Sequence, residues 1–522
     1  MNPESCGRRE FLQAMASLAA LLAVPRSGGA EAVSWKPQRS PFGLGVASGS
    51  PTADGFVLWT RLVGGEIPAN QTLRVDWEVF DPEKPATILA KGQGVAPPEL
   101  GHSVHVEVTG LPADRWYGYR FRAGEMASAA GRTRTLPAPD ALPERLRFSY
   151  ASCQRWEDGF YAAYRHMRDE SLDLVIFLGD YIYEGASSKQ EHVVRRHHLS
   201  SAHTLQEYRD RYALYKSDPL LQAMHAHCPW LVTWDDHEVQ NDYAGKFSMY
   251  DSKDFLLRRA AAYQAYYEHM PLRVATMQEG VAGLLRGAEL RIYHRVEYGR
   301  LATFHVLDCR QYRDAPPCSG GDIKKFSTSC VPKEAPRSML GVAQERWLEE
   351  SFRQSAQRGT RWNIVAEQSR IAPGNYNSGA GHKMDIDLWD GYPEARVRLV
   401  DALVRHKPRN PVFLGGDLHK NWVTRLHRDP YDANSPFVAS EFVGTSIASH
   451  HGQTLEEAER KAASNPLCLL TNPEKRGYGV VELTPSQARV DLRVLKDARQ
   501  ENTGISTLAS FVVEDGKPLR RL

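Results

Sequence analysis

The sequence predicts an α/β domain preceded by a small antiparallel β-sandwich, and three observations carry this reading. Short alternating apolar segments fill residues 42–137. From residue 142 onward, apolar runs of strand length alternate with amphipathic helical patterns. Three of those runs end in polar clusters, at Asp180, at Asp235-Asp236-His237 and at Asp417-Leu418-His419. A buried strand exposes polar side chains only where it emerges, and open α/β sheets keep their chemistry at the C-terminal strand ends.

In chain order, residues 1–32 form a targeting segment. Arg8-Arg9 precede an apolar stretch at 15–24 and small residues ending in Ala30-Glu31-Ala32. This is the pattern of a cleaved signal peptide of twin-arginine character, with an apolar region too short to span a bilayer. It implies the twin-arginine export machinery as a partner, folding before export, and a periplasmic or extracellular mature chain without a transmembrane segment. Of seven cysteines, Cys6 lies in this segment, and the remaining six are too sparse for a disulfide scaffold. Cys318 and Cys330 flank a loop at a spacing compatible with a disulfide in an oxidising compartment, and the sequence leaves their pairing open.

The first domain spans residues 42–137. Phe56-Val57-Leu58-Trp59-Thr60 and the segments at 73–79, 104–108 and 116–121 are separated by stretches containing Gly, Pro, Asp and Asn. Short strands with turn signals between them indicate a sandwich, and the stretch 106–121 resembles the fibronectin type III fold. Thr135-Leu136-Pro137-Ala138-Pro139-Asp140 is a linker. The second domain, 142–522, has predicted strands at 146–151, 174–178, 230–234, 301–307, 362–366 and 411–414, with a helix at 346–357 among those between them. Segments at 477–482, 488–495 and 510–514 add strands at an edge.

Composition is that of an ordinary globular chain, with 42% hydrophobic and 25% charged residues. The 65 basic and 63 acidic residues leave a net charge of +2, so no global field attracts nucleic acid or anionic lipid, and an anionic substrate must be drawn in locally. Arg195-Arg196-His197-His198 and Arg520-Arg521 read as solvated surface.

Alone, a cysteine after a strand is a buried small hydrophobe. Beside two further strand-end clusters, Cys153 becomes a thiolate ligand suited to iron or zinc. Asp180 and Tyr183, at i and i+3, fold onto one metal, where a phenolate favours a ferric ion and the carboxylate bridges to a second metal. The adjacent carboxylates of Asp235 and Asp236 repel one another unless cations or hydrogen bonds offset them. Asp236 and Asn241 are the oxygen ligands there, and His237 serves a bound oxyanion as proton donor or hydrogen-bond partner. Gly415-Gly416 permits a tight turn, and Asp417 and His419 at i and i+2 face one side.

Ala151-Ser152-Cys153-Gln154, Gly179-Asp180-Tyr181-Ile182-Tyr183-Glu184, Asp235-Asp236-His237-Glu238-Val239, Trp389-Asp390-Gly391-Tyr392-Pro393 and Gly416-Asp417-Leu418-His419 resemble, in order, the motifs of PhoD-type alkaline phosphatases. These are metallophosphatases related to purple acid phosphatases. The resemblance implies a four-layered α/β/β/α core and ferric iron with calcium. It implies iron on Cys153, Asp180, Tyr183 and His419. Asp180 would bridge to calcium, with Asn241 and Asp417 as further ligands and Asp236 and Asp390 as additional members. It also implies metal-assisted hydrolysis of phosphate mono- and diesters, with His237 and Asp180 in catalysis. Two stretches depart from the family pattern, Cys309 where relatives commonly carry threonine and Gln368-Ser369-Arg370 in place of a more apolar stretch. Arg310 and Arg370, beside them, are phosphate contacts or structural residues. Two rival readings remain open: a phospholipase D-like phosphodiesterase, and a catalytically inactive secreted binding protein.

Overall fold

A computed structural model describes residues 32–191, 193–250, 254–317, 337–374 and 384–522. The twin arginines, Cys6, Cys318 and Cys330 lie outside the described residues. Two compact units are present, and the first combines the chain up to Thr135 with Ala202–Trp230 and Leu256–Arg291. The chain thus returns to its first unit twice after residue 142.

In that unit, Val46–Gly49, Phe56–Arg61 and Ser103–Val108 pair antiparallel in this order. A second sheet runs Lys84–Ala96, Leu73–Asp81, Trp116–Ala123, with Met126–Ala127 and Gly131–Arg134 both pairing with Trp116–Ala123. Alternation along each strand sends Phe56, Leu58, Val75, Val79, Val104, Val106, Tyr117 and Tyr119 into one shared core. The returning segments supply the helices Leu205–Lys216 and Pro219–His225 and most of the helix Phe255–His269. Thr204 and Glu207 form a capping box at the start of the first of these, satisfying backbone N–H groups that the helix leaves unpaired. Trp59 Nε1 donates to Glu268 O at 3.0 Å, and Lys216 Nζ lies 4.2 Å from the Trp59 ring centroid. Burial pushes the Lys216 ammonium down to about 7.

The second unit is built on two sheets. One has the order Arg520–Arg521, Ile505–Glu514, Gln487–Leu495, Gly477–Leu483, Leu146–Ala151, Leu174–Phe177, Trp230–Val232, so the C-terminal strands extend it on one side. The other has the order His294–Tyr298, Ala302–Val306, Trp362–Ala366, Pro411–Gly415, Phe437–Val443, Asn421–His427, Cys468–Asn472. Side chains of one phase from both sheets, among them Phe148, Ile176, Phe304, Ile364, Leu414, Val481 and Phe511, form a common core. Phe148 meets Phe304 edge-to-face at 5.2 Å. Opposite-phase residues Val365 and Phe413 pack with Leu348 and Phe352 of the helix Gly341–Arg358 and with Leu399 and Leu403 of the helix Pro393–His406. The fold is mixed α/β with an all-β N-terminal region.

Leu146–Ala151 and Leu174–Phe177 are parallel, as are Ala302–Val306, Trp362–Ala366, Pro411–Gly415 and Phe437–Val443. Parallel register brings the C-terminal ends of neighbouring strands to one edge of each sheet, which is where the polar motifs emerge. Among the described residues no helix is long and apolar enough to cross a membrane.

Two outcomes follow. Phe304→Ala, which empties one side of the inter-sheet ring pair, is expected to lower unfolding free energy by about 3–5 kcal/mol in denaturant titration. Because Lys216 binds its proton less tightly when folded, the unfolded chain holds the extra proton from about pH 7 to the ordinary lysine range. Stability from this group therefore rises with pH across that window. Lys216→Met is expected to remove a rise of about 2 kcal/mol between pH 7 and pH 9, read from denaturant midpoints.

Candidate metal centre

The loops that follow the strands are knitted together by backbone contacts. Cys153 N donates to Gly179 O and Gln154 N to Asp180 O, each at 3.1 Å. Gly179 has φ +110°, and a Cβ there would lie 2.5 Å from Asp235 N, so only glycine permits this approach. The buried carboxylate of Glu238 closes the junction by accepting from Asp180 N at 3.1 Å, Asp235 N at 2.8 Å and the Tyr181 amide. Cys153, Asp180, Asp417 and His419 all adopt left-handed φ, at 58°, 56°, 58° and 52°. Non-glycine residues take this conformation rarely, and it is retained where surrounding structure enforces it, chiefly at functional sites.

Ligand-type atoms of Cys153, Asp180 and His419 lie within 4.8 Å of one another. The Tyr183 hydroxyl donates to Asp180 Oδ2 at 2.7 Å and lies 2.9 Å from His419 Nε2. His419 Nδ1 is 2.9 Å from the carbonyl of His450. A carbonyl only accepts, so Nδ1 carries the hydrogen, and a neutral ring then presents its Nε2 lone pair to the cluster. Ser449 Oγ contacts both Cys153 O and the Tyr183 hydroxyl at 2.8 Å. Asp180 Oδ1 is buried and has no hydrogen-bond partner. An orphaned carboxylate oxygen among a thiol, a phenol and an imidazole is a donor set that fits a transition-metal cation.

The electrostatics agree with this fit. Burial pushes the Cys153 thiol well up, and the Asp180 charge pushes it further. The Tyr183 phenol is raised by the same two causes. Both groups are therefore protonated until a cation reverses the local field. Burial raises the Glu238 carboxyl to about 8, with the Asp180 charge adding to it.

A second grouping joins Asp180 to Asp236 and His237. His237 Nδ1 donates to Glu184 Oε2 at 2.7 Å, and its ring lies 4.2 Å from that of Tyr183. Burial alone would lower the His237 imidazolium, but the charges of Glu184, Asp236 and Asp180 hold it well above its usual value. Glu184 also accepts from Asn241 N at 2.9 Å. Burial raises this carboxyl, yet His237 outweighs it and leaves Glu184 below the usual range.

A third grouping, Asp236, Asp242 and Asp387, already faces guanidinium groups. Arg310, buried at 1% side-chain exposure, donates from Nη1 to both Asp387 oxygens at 3.0 and 2.8 Å and from Nε to Asp235. Its Nη2 lies 3.7 Å from Asp236 Oδ2 and from Asp417 Oδ1. Arg313 donates to Asp387 at 2.6 Å.

Of the residues singled out in the sequence, Cys153, Asp180, Tyr183 and His419 come together around one point, and Asp236 and His237 join through Asp180. Asp417 is placed by Arg310, and Asn241 by its backbone bond to Glu184. Asp390 does not join these groupings, because its carboxylate accepts from Arg370 at 3.2 Å, Arg396 at 2.9 Å and Gly374 N at 3.0 Å. Arg310 and Arg370 are thus internal counter-charges, both buried at 1% side-chain exposure. The Cys309 amide donates to Gln368 Oε1 at 2.9 Å, and its thiol sits beside Glu367. Arg195 stacks on Trp156 at 3.7 Å, so that part of the basic run is not simply solvated.

Sequence reasoning missed Glu184, Glu238, Asp242, Asp387 and Ser449. Glu184 and Glu238 stand inside the quoted motifs, directly after Tyr183 and His237, and that adjacency was the available signal. Nothing local marks Asp387 or Ser449.

A family model described as PhoD-like phosphatase matches residues 148–492, and one described as its N-terminal domain matches residues 28–137. The chain is 42% identical to alkaline phosphatase D of Bacillus subtilis (strain 168), over 99% of this chain and 89% of the relative. The solved structure of PhoD superposes with a TM-score of 0.85 at 41% identity, covering 94% of this chain and 93% of that one. With family models spanning both the strand-end motifs and the preceding all-β region, the chain belongs to the PhoD-like phosphatase family.

Proposed function

We propose that the chain is an exported, metal-dependent alkaline phosphatase that releases phosphate from both mono- and diesters. The observation that carries this reading is the orphaned Asp180 Oδ1 beside Cys153, Tyr183 and His419. Those four residues would hold a ferric ion. Asp180 would be shared with a calcium site completed by Asn241, Asp417 and Asp236, an all-oxygen set suited to a hard cation. Asp390 is assigned to its two arginines instead. When bound, the ions supply neutralisation of the phosphoryl oxygens and a nucleophile at working pH.

The residues do the rest. Tyr183 and Cys153, with Asp180 and His419, would hold the first ion as phenolate and thiolate, and the ion would supply the positive charge that makes those forms favourable. Glu238 holds the Asp180 and Asp235 amides, so the Asp180 carboxylate is oriented before substrate arrives. His237, with 21% of its side chain exposed, is the group at the open side that donates a hydrogen bond to a phosphoryl oxygen. Arg310 pairs with Asp235 and Asp387 behind the site and stands 3.7 Å from Asp236 and Asp417, offsetting part of the carboxylate charge that the cations would complete. The reading extends to a cleaved twin-arginine segment at 1–32, a fibronectin III-like domain at 42–137 and a catalytic domain at 142–522 from which 202–230 and 256–291 return to the first unit.

Asp180→Asn keeps the size and the left-handed backbone while removing the charge. It is expected to lose bound metal by elemental analysis and to lower kcat by about 10³-fold on p-nitrophenyl phosphate and its bis-ester. A folded variant with full metal content and full rate would overturn the assignment. Chelator treatment of the wild type is expected to abolish phosphate release, with recovery requiring iron and calcium together and neither ion alone sufficing.

A further inference from the structure

Glu184 is almost fully buried at 7% exposure, and each of its two oxygens takes one donor. Oε2 accepts from His237 Nδ1 at 2.7 Å and Oε1 from Asn241 N at 2.9 Å. The two donors come from opposite ends of the loop His237–Asn241, so one side chain holds that loop against the segment that carries Asp180 and Tyr183. The imidazole is gripped twice, at its edge by Glu184 and on its face by the Tyr183 ring at 4.2 Å and 32°. An imidazole with Nδ1 engaged and one face stacked has a single nitrogen left to offer, Nε2. The ring is near Asp180 and Asp236 and partly exposed.

We propose that Glu184 is a positioning residue for the phosphatase reaction, clamping His237 so that Nε2 faces the phosphoryl group. The proposal rests on the metal-dependent phosphatase reading above, since it assigns a task to His237 within that site. The arrangement is that of a buried carboxylate orienting a functional histidine through Nδ1, which fixes the ring angle and keeps the Nδ1 hydrogen in place. Neither contact requires Glu184 to touch substrate or metal. Its effect on the phosphoryl group passes through His237, while its bond to Asn241 N holds the far end of the same loop.

The test is a double-mutant cycle on the metal-loaded enzyme with Glu184→Ala, His237→Ala and the double variant. Glu184→Ala is expected to lower kcat/KM by about 10–100-fold with metal content equal to wild type. The double variant is expected to be no slower than His237→Ala alone. Orthovanadate, a five-coordinate phosphoryl mimic, gives a readout apart from turnover: its calorimetric Kd is expected to rise by the factor by which kcat/KM falls. Losses that multiply in the double variant overturn the proposal, as does an unchanged vanadate Kd or a loss of metal in Glu184→Ala. If Glu184→Ala does not fold, the isosteric Glu184→Gln takes its place in the same cycle with the same criteria. An inactive, metal-free wild type overturns the reading of the site and this proposal together, whereas an active wild type matched by Glu184→Ala overturns the role of Glu184 alone.

Discussion

The structure of the second unit depends on one constraint, which is that several carboxylates are buried side by side at converging strand ends. Asp180, Asp235, Asp236 and Glu238 are each buried to 2% exposure or less. Placing them there without compensation would unfold the region, because a buried unpaired charge is among the most expensive features a protein can hold. Each is answered differently. Glu238 takes three backbone amides, Asp235 takes the Arg310 guanidinium, and Asp236 is near that same cation and accepts from Asp242 N at 2.7 Å. What is left over among these four includes one oxygen of Asp180 and one of Asp235, and of the two only Asp180 belongs to the grouping with Cys153 and His419. The two-sheet core holds these carboxylates together at the strand ends, an arrangement suited to a bound cation.

The same constraint explains what the sequence made legible. Buried parallel strands announce themselves as continuous apolar runs, and the strands at 146–151, 174–177, 230–232, 362–366 and 411–415 were read nearly to the residue. Asn421–His427 and Phe437–Val443 were not singled out, and Pro411–Gly415 pairs with the later of the two. That exchange is a matter of long-range pairing and leaves no local trace. Lys84–Ala96 is largely exposed, so it lacks the apolar alternation by which a half-buried strand is recognised.

For the candidate site, residues standing at a strand end could be named from the sequence, while those tied to it by distant partners could not. Arg310 reaches Asp235 across 75 positions, and Asp390 is claimed by Arg370 and Arg396 at separations of 20 and 6. Nothing in Trp389-Asp390-Gly391 distinguishes a metal ligand from an arginine's counter-ion until the guanidinium groups are placed. The helices of the first unit show the same limit: Lys216 follows a helical pattern, yet it packs on Trp59 of a strand far upstream.

The left-handed backbone at Cys153, Asp180, Asp417 and His419 sets the chain's chemistry against its own durability. Glycine at these four positions would relieve about 1–2 kcal/mol of conformational cost each, and asparagine would suit the aspartate positions equally well. Selection for heat resistance alone would therefore drift toward residues without the thiolate, carboxylate or imidazole these positions now carry. On the proposed assignment of these positions as metal ligands, a library screened only for folded yield would lose turnover there first, and the variants that melt highest would be the ones that no longer act on substrate.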